Sequence, residues 1–104
     1  MRLLGVLTFA LLASSAHAQD ASKHSYVPPA GFVPDSSTAV RIAEAVWIPI
    51  YGEQQIARER PFIAILRNGV WTVGGSLPTG QAGGVAVAEI SKRTGRIIRV
   101  SHGR

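Results

Sequence analysis

PFIAILRNGVWTVGGSL, residues 61–77, decides the fold: two β-rich runs are joined by Asn68-Gly69. A two-residue hairpin turn needs positive φ at both central positions, which Asn and Gly tolerate, so this dipeptide between alternating residues marks a tight β-hairpin. Pairing Arg67 with Val70 places Phe62, Ala64, Leu66, Trp71 and Val73 on one face. Ile63, Ile65, Val70 and Thr72 fall on the other. The first face is the natural surface for a helix to cover; the second also carries apolar residues and is a candidate for partial cover. Gly74-Gly75 should weaken or bulge the second strand.

Upstream, Asp35-Ser36-Ser37 offers N-cap residues before a run in which Ala39, Ile42, Ala43, Val46 and Ile50 recur at three- and four-residue spacing. This is an amphipathic helix. Pro49 should kink or stop its last turn, and Gly52 is a natural residue just past its end. Glu53 to Arg60 has no clear period and reads as a short helical turn or a loop, with one short turn preferred. Downstream, Leu77 to Gly84 is a glycine-rich connection. Val85 to Ser91 and Arg96 to His102 then form a second hairpin around Lys92-Arg93-Thr94-Gly95. The expected fold is α+β, one N-terminal amphipathic helix packed on a four-stranded antiparallel sheet.

At the start of the chain, Arg2, the apolar run Leu3 to Leu12 and Ala16-His17-Ala18 have the order of a cleavable secretory signal. The run is about ten residues long and a spanning helix needs roughly 20, so no stable membrane anchor is expected after cleavage. Cleavage between Ala18 and Gln19 would leave a periplasmic or secreted protein. The expected organisation is a signal peptide over residues 1–18, a flexible lead-in with Pro28, Pro29 and Gly31 over 19–32, and one domain over 33–104. Without any cysteine, that domain must be held by packing and backbone pairing alone. Beyond residue 18, ten Lys or Arg stand against six Asp or Glu, a net charge of +4. This favours anionic partners, and nucleic acid fits an exported domain poorly.

The chemical inventory is thin. His102 is the single histidine of the expected domain, so no multi-histidine metal site is available and no cofactor is expected. Glu89, the one carboxylate within the expected strands, shares a face with Ile98, Val100 and His102 in a regular register and could pair with His102 or an arginine. An enzyme would need that pair buried in a cleft, and no catalytic residue is assigned. Lys92, Arg93, Arg96 and Arg99 cluster around the last turn as a candidate partner-binding rim, with Glu89 and His102 beside them. Trp47, Tyr51 and Trp71 are core candidates.

Three stretches together are more specific: Ala39 to Gly52 (AVRIAEAVWIPIYG); Arg60-Pro61-Phe62 with Gly69-Val70-Trp71-Thr72-Val73 and Leu77-Pro78; and Gly83-Gly84-Val85-Ala86 through Glu89-Ile90-Ser91-Lys92 to His102-Gly103. They resemble the bacterial immunity-protein family with a nuclear-transport-factor-two-like fold, over roughly Val33 to Gly103. The resemblance implies a non-enzymatic protein of polymorphic toxin systems, which binds and occludes a cognate protein toxin. The domain is short for the full cone of that fold, so a reduced, cystatin-like helix-on-sheet form is expected. An exported, basic member implies a toxin acting in the periplasm. The alternative is a stand-alone periplasmic domain that binds a small ligand or a cell-wall component.

Overall fold

A computed structural model describes residues 25–103; the expected export signal lies outside them. Helix α1, Ser36–Tyr51, starts where Asp35 is extended and its carboxylate accepts the Thr38 N–H at 2.8 Å and the Thr38 hydroxyl at 2.7 Å. The helix runs two residues past Pro49 and ends at Gly52, whose φ of 94° disfavours a side chain and whose N–H donates to the Ile48 carbonyl. Ala39, Ala43 and Trp47, four apart, are its buried line. Ile50, expected on the same stripe, is exposed. The chain instead turns into a second helix, α2, Glu53–Arg58, which contributes fully buried Ile56 to the core.

Strands β1 (Ile63–Arg67), β2 (Val70–Gly74), β3 (Ala86–Ser91) and β4 (Ile97–His102) form one antiparallel sheet in the order β1-β2-β3-β4. The first hairpin has the expected register, Arg67 opposite Val70, and its turn residues Asn68 and Gly69 have φ of 49° and 75°. On the helix side, Trp71, Val73, Ala86, Ala88 and Ile90 pack with the α1 line and Ile56, and Phe62 meets Trp47 edge-on at 5.4 Å. Alanines in both layers leave room for the two tryptophans. Leu66 is on this side by register, but β1 is an edge strand and Leu66 stays exposed.

The second hairpin corrects the expected register. Ile90 pairs with Ile97 but Glu89 pairs with Arg99, so Ile98 is an extra residue, a β-bulge. Beyond a one-residue insertion every side chain changes face. Val100 and His102 therefore lie on the helix side opposite Ala88 and Ala86, whereas Glu89 shares the open face with Arg99 and Ser101.

The segment before α1 is tied to this hairpin. Phe32 and Val33 donate their N–H groups to the carbonyls of Arg93 and Lys92, and the Val33 carbonyl accepts the Trp71 indole N–H at 2.9 Å. Val33 is fully buried. A Cβ on Gly31 would stand 2.5 Å from the Lys92 carbonyl oxygen, so only glycine permits this approach.

Candidate functional site

Both hairpin turns lie at one end of the sheet, joined by the Lys92 N–H to the Gly69 carbonyl at 2.9 Å. Lys92, Arg93 and Arg96 gather there with Arg67, as the sequence placed the first three around the last turn. The Lys92 ammonium donates to the Ala30 carbonyl, a neutral partner that leaves its charge uncompensated. A hollow lined by Pro29, Ala30, Gly31, Gly69, Lys92 and Arg93 is about 150 Å³, below the roughly 300 Å³ at which small-ligand pockets begin. This end is a cationic surface more than a ligand cavity.

Arg99 and Glu89 stand next to that end on the open face, with Arg99 Nε donating to Glu89 Oε2 at 2.9 Å. Both are solvent-accessible, so the pair contributes little to stability. Its effect is to neutralise Glu89.

His102 does not join this group, contrary to the sequence reading that set it beside Glu89. It meets Glu59, which follows α2 and is 3% exposed. Glu59 Oε1 accepts the Ala86 N–H at 2.7 Å. Its Oε2 accepts the Gln55 amide at 2.9 Å and His102 Nε2–H at 2.8 Å. The Glu59 carbonyl also accepts the Ser76 N–H at 2.7 Å. Burial alone would raise the Glu59 carboxyl, but the Ala86 N–H, the Gln55 amide and His102 outweigh it and hold it below the ordinary value. The bond to Glu59 raises His102 against the opposing effect of burial, and the Gly103 carbonyl at Nδ1 adds to the rise. A carboxylate and a carbonyl only accept, so His102 makes both bonds only as the imidazolium. The Tyr51 ring packs on it at 5.0 Å.

Glu59 is the residue that sequence reasoning missed. It lies outside every periodic run, and its partners Ala86 and His102 are 27 and 43 positions away. Gly75 is the one trace it leaves: a Cβ there would come within 2.6 Å of Glu59 Oε1. All four acceptor positions described are taken up in joining α2, β3, β4 and the segment after β2. The arrangement is a clasp between elements. Among the described residues no group of three or more His, Cys, Asp or Glu side chains gathers to hold a metal, and no helix is long and apolar enough to cross a membrane.

A helix laid over a four-stranded antiparallel sheet, closed at one end by a half-buried Glu–His clasp and cationic at the other, defines a small α+β domain whose distinctive features are surfaces. The chain belongs to the NTF2 fold immunity protein family, whose model matches residues 38–104. It is also similar to the "Uncharacterized protein YhhH" of Escherichia coli (strain K12), with 33% identity over 73 residues. That alignment takes in 69% of this chain and 58% of the relative, so the chain spans well under two thirds of the relative's length. No solved structure matches at a significant level.

Proposed function

We propose that this chain is an exported immunity protein that binds and occludes a cognate toxin without chemistry of its own. The observation that carries the reading is the family match over residues 38–104, which takes in most of α1 and every strand. The engagement of Glu59 and His102 in structural bonds supports action by binding, because this acid–base pair is committed to holding elements together. The cationic hairpin end supports an acidic protein partner. Export rests on the sequence of Met1 to Ala18, with cleavage before Gln19 and a toxin that acts in the periplasm on wall or membrane.

The test is co-expression of the full chain with any toxin encoded next to its gene, directed to the periplasm. Restored growth and a stoichiometric complex are expected, and deletion of residues 2–18 should leave the toxin unopposed. Failure of the full chain to protect or to form a complex overturns the immunity reading. Equal protection by the deleted form overturns export.

A further inference from the structure

The open face of the sheet has three rows across the strands: Arg67, Val70 and Ser91; then Ile65, Thr72, Glu89 and Arg99; then Ile63, Gly74, Val87 and Ser101. No helix covers it among the described residues. Ile63 and Ile65 are 57% and 51% exposed, on an edge strand with no charge before Arg67. Gly74 sits in the last row between Ile63 and Val87. Gly74 is the last residue of β2, paired on both sides, and a glycine in a strand lowers its stability and often marks a bulge, a tight bend or the close approach of a ligand or another backbone. No bulge is there: its register is regular on both sides, its φ is not in the left-handed region, and a Cβ on it would meet nothing within 4 Å. Its neighbour Gly75, by contrast, is required by Glu59. With strands about 4.8 Å apart, the missing side chain leaves a slot between residues about 10 Å apart, wide enough for one aliphatic side chain.

Among the described residues, the cations of this face lie towards its hairpin end, Arg67 two rows from Gly74 and Arg99 one. Arg67, Arg99 and the turn residues Lys92, Arg93 and Arg96 border the face, and its single carboxylate, Glu89, is already paired with Arg99. Asp35, Glu44, Glu53 and Glu59 all belong to the helices or their flanks. Four strands of about five residues give a footprint of roughly 300 Å². A stable interface covers about 800 Å² on each partner, so the cationic hairpin end must be covered as well.

We propose that the open sheet face is the toxin-docking surface, with an aliphatic side chain of the toxin seated over Gly74 and an acidic rim of the toxin on Arg67 and the hairpin end. This rests on the immunity reading above and adds to it the surface and the partner's chemistry.

The probe is the purified toxin that the co-expression test identifies, titrated against the mature chain and its variants at low and high salt. Gly74→Val should weaken binding at least a hundredfold while leaving the melting temperature unchanged or raised, since valine suits a strand better than glycine. Ile65→Asp should also weaken it, Arg67→Glu should weaken it and flatten the salt dependence, and Glu53→Lys, on α2, should bind as the parent. If Gly74→Val and Ile65→Asp bind as the parent does, the surface assignment is overturned while the immunity reading stands. If the parent itself neither binds nor protects, both fall. A parent that sediments as a dimer, and that Gly74→Val converts to a monomer, gives the face to a second copy and overturns the assignment to the toxin.

Discussion

Glu59 is a carboxylate in the core of a domain with few charges to spare, and three donors reach its two oxygens. Removing a buried charge from such a set leaves its donors stranded, which costs more than the net worth of the bonds. The His102 contribution is fully present below the ordinary imidazole value of 6.5 and fades as pH rises through its raised folded value. The Glu59 contribution is present above the ordinary carboxyl value of 4.5 and fades as pH falls through its lowered folded value. Stability should therefore peak between these two ordinary values and decline on either side. In Glu59→Gln the amide oxygen can keep the Ala86 N–H, but the Nε2 side faces the Gln55 amide, which is fixed because its oxygen accepts Arg58. The variant is expected to lose about 2 kcal/mol near the optimum and both arms of the pH profile. Urea unfolding at about pH 4, 6 and 8 reads this directly. A variant profile with the parental shape would assign the pH dependence to other groups.

At the level of elements, the first hairpin was legible because its register is set by local chemistry: Asn68 and Gly69 adopt the positive-φ turn that asparagine and glycine tolerate, and alternation does the rest. The α1 stripe was legible for the same reason, although its last apolar residue, Ile50, gives way to Ile56 from α2. In the second hairpin the turn was placed where the structure has it, and the Ile90–Ile97 pair agrees with a regular ladder. One unpaired residue, Ile98, then inverts everything beyond it, and a bulge carries no periodic signal. That inversion is why a regular register puts His102 on the face of Glu89, whose partner is an arginine, Arg99, and why the Glu59 clasp stayed hidden. Deleting Ile98 removes the extra residue and keeps Arg99 open and His102 inward. It should change stability by less than about 1.5 kcal/mol and preserve the pH optimum. Deleting Ser101 instead moves His102 to the open face, and should both destabilise the domain and abolish the alkaline decline. Unfolding curves of the two deletions at about pH 6 and 8 distinguish them.

For the whole molecule, the boundary of the family match and the boundary of the fold differ. The match begins at Thr38, inside the first turn of α1. The structure needs more than that. Val33 is fully buried, its carbonyl receives the Trp71 indole, Phe32 and Val33 extend the hydrogen bonding of the Lys92–Arg93 turn, and Asp35 caps the helix. These residues close the hairpin end in the way that Glu59 closes the opposite one, and no disulfide shares the task. Burial of Val33 contributes about 2 kcal/mol and the indole bond about 1 kcal/mol, and loss of the cap acts in the same direction. A small domain holds only about 5–15 kcal/mol in total. A chain that starts at residue 38 should thus unfold at markedly lower urea than one that starts at residue 25, by about 3 kcal/mol or more. Trp71→Phe in the longer chain should recover about 1 kcal/mol of that difference, with faster amide exchange at Phe32 and Val33. Equal midpoints for the two chains would mean that residues 25–37 rest on a domain already complete without them, and the cationic end would then be free to lose them when a partner binds.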